Sequence, residues 1–238
     1  MHKLLIIIPA RYGSKRIPRK NIRPFLGRPL IAYTIEQARK VKFADRVIVD
    51  TDSPKIAALA KKLGAEAPFL RPKRLAQDTS QGVDAILYLL AWLKKEEGYE
   101  PTHVMILQTT SPLREMEDIA RSWKLMRDSN ATTVLTVCPT HPRLYHLDSK
   151  QNIVLANKSA HPSTNAQDWP KGYLLNGCFV YIVKVKALLK EKQVVTKHTK
   201  AVVCAAWRSV DLDTPEDWVV AELLFKNRKS IKARIKRI

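Results

Sequence analysis

"IIIPARYGSKRIPRKN", from Ile6 to Asn21, joins two opposite kinds of sequence. A short apolar strand, Lys3 to Ile8, stops at Pro9. Arg11, Lys15, Arg16, Arg19 and Lys20 follow at once, Arg23 lies just beyond, and no acid precedes Glu36. Two cations about 6 Å apart repel by roughly 2–3 kcal/mol at an effective dielectric near 20. So dense a cluster at the end of a buried strand expects an anion. Its Gly13 fits neither the GxGxxG dinucleotide fingerprint nor the GxxxxGK[ST] phosphate loop. Backbone N–H groups around Gly13 and Ser14, with the Arg and Lys side chains, still suit phosphates. The alternative is a solvated basic loop.

Outward from this loop the chain alternates strand and helix. Helical spacing covers Pro29 to Val41, and "RVIVDTDS" reads as a second strand ending in Asp50 and Asp52. Ser53 and Pro54 then suit a helix start that runs to Gly64. Ser80 is read as the start of a long helix ending near Gly98, and "THVMILQTTSP" as a strand and turn. Glu115 to Asp128 is helical, "ATTVLTVCP" extended, and "YLLNGCFVYIVKV" one more strand. Thr214 and Pro215, with Glu216 and Asp217, make a further helix start. The order predicts an α/β fold: a Rossmann-like, mainly parallel sheet with helices on both faces, residues 1–238 forming one domain. The rhythm breaks over 139–172, rich in proline and histidine, which reads as a small inserted subdomain.

Composition narrows the function classes. The charge of +20 comes from 42 Lys and Arg against 22 Asp and Glu, and admits a nucleic-acid partner. Part of the excess lies in "KNRKSIKARIKRI", Lys226 to Ile238, read as a solvated helix open to nonspecific nucleic-acid binding. The aromatics do not interleave with the basic runs as a base-stacking platform would. No apolar run approaches a membrane span, the N-terminal stretch does not read as a signal peptide, and the expected location is cytoplasmic. Cys138, Cys178 and Cys204 stand alone, with no CxxC pair.

In a doubly wound sheet, ligands lie beyond the carboxyl ends of the strands. Four polar segments qualify: the basic loop, "DTD" at Asp50–Asp52, "QTTSPLR" at Gln108–Arg114 and "DLD" at Asp211–Asp213. Asp211 and Asp213, read as two apart at a strand end, project to one side and suit Mg²⁺. A helix cap accounts for Asp213 but not for Asp211. Gln108 ends a buried strand, where its amide needs a partner. Arg114 either joins the site or pairs locally, and Asp50 and Asp52 either reach the ligand or close their strand. His141, His146 and His161 form no metal pattern.

"IPARYGSKRIPRKN", "GRPLIAYTIEQA", "RVIVDTDS", "LQTTSPLR", "LLNGCFVY" and "DLDTPEDW" together resemble the acylneuraminate cytidylyltransferase (CMP-sialic acid synthetase) family, in its order and spacing. The resemblance implies transfer of CMP from CTP to the anomeric hydroxyl of a nine-carbon acidic sugar such as N-acetylneuraminate, with release of pyrophosphate. Legionaminic, pseudaminic and octulosonic acids are the alternatives. A nucleic-acid-binding protein on the same scaffold is the non-enzymatic one.

The resemblance assigns the nucleotide to Arg11, Ser14, Lys15, Lys20 and Asn21, with Arg71 and Ser80 as further contacts and Asp84 as a weaker one. It gives Asp211 and Asp213 to the metal, with Arg11, Lys20 and Asp211 acting in catalysis. Gln108 and Gln167 fall to the sugar. Asn165 and Ala166 stand where sialic-acid-using members often carry basic residues. The insertion is implied to exchange contacts between two subunits of a homodimer.

Overall fold

A computed structural model describes residues 2–156, 169–177 and 179–238. The strands are β1 (Leu4–Pro9), β2 (Pro24–Phe25), β3 (Arg28–Pro29), β4 (Arg46–Asp50), β5 (His103–Ile106), β6 (Thr133–Thr140), β7 (Tyr145–Leu147), β8 (Ile153–Leu155), β9 (Gly172–Leu175), β10 (Tyr181–Lys184) and β11 (Thr199–Val203). The helices are α1 (Leu30–Arg39), α2 (Pro54–Lys62), α3 (Gly82–Glu97), α4 (Met116–Arg127), α5 (Val185–Glu191) and α6 (Pro215–Ile235). The main sheet has the order β11-β6-β10-β5-β1-β4, with β9 paired to the far end of β6. Strand β1 runs parallel to β4 and β5, and β11 parallel to β6, whereas β10 is antiparallel to both its neighbours.

The pleat explains why helices cover both faces. Leu4, Ile6 and Ile8 pack with Ile31 and Ile35 of α1, Ile56 of α2 and Ile119 of α4. Leu5 and Ile7 point the other way, against Ile86, Leu89 and Leu93 of α3 and Leu188 of α5. A strand buried on both sides must be apolar throughout, which is what "LLIII" provides. A third, smaller core joins Ile17, Phe25, Leu30, Leu212, Trp218 and Ala221. It fastens the basic loop to the "DLD" segment and to α6.

Local signals set most helix ends. The Ser53 hydroxyl accepts from the Ile56 N–H, and Pro54 occupies the first turn. Reciprocal capping boxes start α4 at Glu115 and Asp118, and α6 at Thr214 and Asp217. Three sequence readings need correction. Ser80 does not open α3: the helix begins at Gly82 with Gln81 at its cap, because the Ser80 hydroxyl is bonded to the Arg74 carbonyl instead. "YLLNGCFVYIVKV" is two strands, since Gly177 takes a left-handed φ of 65° and the buried Asn176 is held by Thr136 and Ser209. Asp211 and Asp213 do not end a strand. They flank a tight turn in which the Asp213 N–H donates to the Asp211 carbonyl at 2.9 Å, with Leu212 buried at its centre.

Within the insertion, β7 and β8 form a hairpin and β9 pairs antiparallel with the far end of β6. The basic C-terminal stretch continues α6, and Lys232 pairs with Glu115 at 2.6 Å. No helix among the described residues is long and apolar enough to cross a membrane.

His103, at the start of β5, is buried beside Trp123 and His2. Burial above all, with the nearby positive charge of His2 and Lys184, lowers its pKa from 6.5 to about 4. The unfolded chain therefore takes up a proton below pH 6.5 that the folded chain refuses. Stability should be full above this range and fall by about 3 kcal/mol as the pH drops through it toward 4. Urea unfolding across this window should show that slope, and His103→Gln should flatten it.

Candidate active site

A cleft of about 470 Å³ opens beyond the carboxyl ends of β1 and β5. The basic loop supplies Arg11, Ser14, Lys15, Arg16, Lys20 and Asn21 to its wall. Arg71, Gln108, Thr109, Thr110, Asp78 and Asp213 complete it. Arg19 and Arg23 lie outside the wall, and Arg19 takes a left-handed φ of 55° that starts a short 3-10 turn, Lys20–Ile22.

The loop is anchored at several points. Asn21 is buried; its amide nitrogen donates to the Arg11 carbonyl at 2.8 Å and its oxygen accepts from the Thr109 hydroxyl at 2.5 Å. The Tyr12 N–H donates to Asp52 at 2.8 Å. Lys20 is largely buried, donates to the Leu212 carbonyl at 2.5 Å and lies 3.4 Å from Asp213. Arg16 reaches the same carboxylate at 3.2 Å. Arg11 and Lys15 close on Asp78 at 2.8 and 2.6 Å. The missing counter-charge of the loop thus comes from acids far along the chain.

Arg71 is buried against Asp50, donating to its carboxylate at 2.5 Å and to its carbonyl at 3.0 Å. Burial pushes the Asp50 carboxyl up and the Arg71 guanidinium pulls it back. The Arg71 Nε is buried without a hydrogen-bond partner. One edge of this guanidinium is therefore spent on Asp50 while the residue faces the cleft. Asp50 and Asp52 both position other residues of the site.

Gln108 sits in the cleft with its side-chain oxygen accepting from the Thr110 hydroxyl at 3.2 Å. Arg114 serves the fold. It is buried, donates to the carbonyls of Gln108 and Phe179, and to the Gln37 side chain at 3.0 Å. Ser80 and Asp84 do not line the cleft; Ser80 instead closes the turn that carries Asp78. Gln167, with Asn165, Ala166 and His161, lies outside the described residues.

Asp211 stands behind Asp213, next to Thr110 and Gly177. Burial raises its pKa, a hydrogen bond with Thr110 offsets part of this, and Asp213 adds to the rise. Its Oδ1 is buried with no hydrogen-bond partner. A buried carboxylate oxygen left without a donor is suited to a cation. No cluster of three or more His, Cys, Asp or Glu able to hold a metal occurs among the described residues. Two carboxylates nevertheless fit Mg²⁺, which keeps several waters and shares substrate phosphates.

A second cleft, about 510 Å³, lies between α1, α6 and the turn at Pro112–Glu115. Of its cations, Arg208 pairs with Asp118 at 2.5 Å and Arg28 with Glu36, while Arg228 donates to the Phe225 carbonyl at 2.5 Å.

The sequence profile of the cytidylyltransferases matches residues 5–230. The chain belongs to this family. It is a CTP-dependent nucleotidyltransferase. It is 33% identical over 229 residues to the CMP-N,N'-diacetyllegionaminic acid synthase of Legionella pneumophila, covering 94% of this chain and 97% of that one. It is 33% identical over 227 residues to the pseudaminic acid cytidylyltransferase of Campylobacter jejuni, with the same coverage. The fold matches CMP:2-keto-3-deoxy-manno-octonic acid synthetase complexed with CTP, at a TM-score of 0.71 and 20% identity, over 95% of this chain and 99% of that one.

Asp78 is a site residue that the sequence did not single out, while Thr109 and Thr110 lie within "QTTSPLR" and Gly177 within "LLNGCFVY" with no ligand role assigned to them. Gly177 is the most exacting. A Cβ there would overlap the Asp211 carboxylate, and its φ of 65° disfavours any side chain. Gly177→Ala should displace Asp211 and lower turnover by about 100-fold, while leaving CTP affinity within a few-fold. Steady-state rates beside a CTP titration would check this split.

Proposed function

We propose that the protein transfers CMP from CTP to the anomeric hydroxyl of a nine-carbon acidic sugar of the legionaminic or pseudaminic type, releasing pyrophosphate. The observation that carries this reading is one cleft lined by Arg11, Lys15 and Lys20 together with Gln108 and Asp213. The sugar class rests on the two relatives at 33% identity. N-acetylneuraminate and octulosonic acid are the competing substrates.

In this reaction the sugar hydroxyl oxygen bonds to the α-phosphorus as the bond to the bridging oxygen breaks. Negative charge then grows on the pyrophosphate. Arg11, Lys15 and Lys20 line the cleft where that charge would form, and one donor held for it is typically worth about 10²–10³-fold in rate. Ser14 and the backbone near Gly13 would add N–H and O–H donors to the phosphates. Arg71, fixed by Asp50, would contact the nucleoside, and Gln108 the sugar. Among the described residues, no His or Cys lines the cleft. Asp211 and Asp213 would hold a magnesium ion, which when bound polarises the phosphates.

We also propose a homodimer. Leu147, Ile153 and Leu175 on β7, β8 and β9 are 65%, 70% and 58% exposed, and apolar side chains gathered this openly favour a covering partner. The cytoplasm, where CTP is made, is the proposed location. Nucleic-acid binding by the basic end of α6 draws no support from the relatives.

The test is pyrophosphate release from CTP and Mg²⁺ with each acid sugar supplied singly, and light scattering on the same preparation. Release with a legionaminic or pseudaminic acid, from a particle of twice the chain mass, is expected. Release with N-acetylneuraminate or the octulosonic acid alone would overturn the substrate assignment, and a monomer of 27.1 kDa would overturn the dimer.

A further inference from the structure

The cations that face the cleft are not bare. Asp78 bridges two of them, its Oδ1 at 2.8 Å from Arg11 and its Oδ2 at 2.6 Å from Lys15. The two cations come from the loop after β1, and the carboxylate from 67 residues later than Arg11. We propose that Asp78 is an internal competitor for the polyphosphate: its carboxylate occupies the Arg11–Lys15 pair in the empty site and must leave when the polyphosphate binds. This inference rests on the reading of the cleft as the triphosphate site and assigns a specificity role to a residue outside that reading.

The chemistry of the contact supports displacement. A carboxylate offers two oxygens to the pair, as a phosphate edge does, and both are anions that cannot share one pair of cations without mutual repulsion. Lys15, 81% exposed, and Asp78, 44% exposed, meet in water, where an ion pair is weak and easily exchanged. Lys15 first and Arg11 second hold the Asp78 carboxyl below its usual range, so it stays ionised and competes as a full charge.

The segment that presents Asp78 is built to release it. Asp78 is the second residue of a turn closed by the Ser80 N–H on the Gln77 carbonyl at 3.2 Å. The Ser80 hydroxyl accepts from the Gln77 N–H at 3.2 Å and donates to the Arg74 carbonyl at 2.8 Å. The turn keeps its shape through these bonds, none of which involves the Asp78 side chain. The carboxylate can swing away by side-chain rotation alone. By contrast, Asp213 is tied through its own backbone to Asp211 and Asp217, so its pairing with Arg16 and Lys20 is part of a fixed frame.

A ligand that reaches the Arg11–Lys15 pair must displace Asp78, whereas one that does not reach it has nothing to displace. Asp78 therefore weakens CTP and pyrophosphate together and leaves CMP untouched. It lowers retention of the pyrophosphate product by re-forming its own pairs as that product leaves.

Calorimetric titration of pyrophosphate, CTP and CMP into the wild-type chain, Asp78→Asn and Asp78→Ala tests this. Both variants should bind pyrophosphate and CTP about three- to tenfold more tightly at low salt, with the gain shrinking as salt rises. CMP affinity should be unchanged, which also reports that the variants are folded. Unchanged or weaker pyrophosphate binding in both variants would overturn the inference, the weaker case meaning that Asp78 positions the two cations. A wild-type chain that binds neither CTP nor pyrophosphate would instead overturn the reading of the cleft.

Discussion

The small core made by Ile17, Phe25, Leu30, Leu212 and Trp218 is the constraint on which the site depends. Ile17 lies in the middle of "SKRIPRK" and Leu212 in the middle of "DLD". Each is the apolar centre of a charged motif, 4% and 0% exposed. Burying such side chains is worth about 1.5–3 kcal/mol each, comparable with the repulsion between two neighbouring cations of the loop. Apolar burial thereby holds Lys20 and Arg16 beside Asp213 and turns their charges outward to the cleft. The Lys20 bond to the Leu212 carbonyl joins the two motifs at the same place. The site is thus assembled by hydrophobic packing beneath it, and its polar contacts decide only the final geometry.

A second consequence concerns charge. From the sequence the loop after β1 looks uncompensated, since no acid precedes Glu36. In the fold, Asp78 and Asp213 each bridge two of its cations. The two acids are mounted differently. Asp213 is locked by a capping box and a tight turn, while Asp78 stands in an exposed turn. One belongs to the permanent frame and the other shares its cations with whatever anion arrives.

Much of the fold was legible because its signals are local. The run at Leu4–Ile8, the Ser53-Pro54 start and the Thr214–Asp217 box each act within a few residues. The parallel order followed from the strand and helix alternation. What escaped depends on contacts distant in sequence. The break at Gly177 exists because Asp211 approaches its backbone from beyond β11. The antiparallel setting of β10 is a property of the whole sheet. Ser80 has the composition of a cap, yet an interaction with Arg74 takes its hydroxyl. Asp78 was not singled out, although it lies in the segment "RLAQDTSQGVDAI" whose resemblance points to the nucleotide through Ser80 and Asp84, and only the fold brings it to Arg11 and Lys15. Arg114 shows the converse, a charged residue in a polar motif whose donors serve backbone carbonyls and one glutamine.

In the proposed site the cations after β1 bind the β- and γ-phosphates of CTP. The most direct measurement is the affinity of the wild-type chain for CTP and for CMP across a range of ionic strength. CTP should bind far more tightly than CMP at low salt, and the gap should narrow steadily as salt screens the loop. Equal affinity for CTP and CMP at every salt concentration would contradict it, since the terminal phosphates would then touch none of Arg11, Lys15 and Lys20.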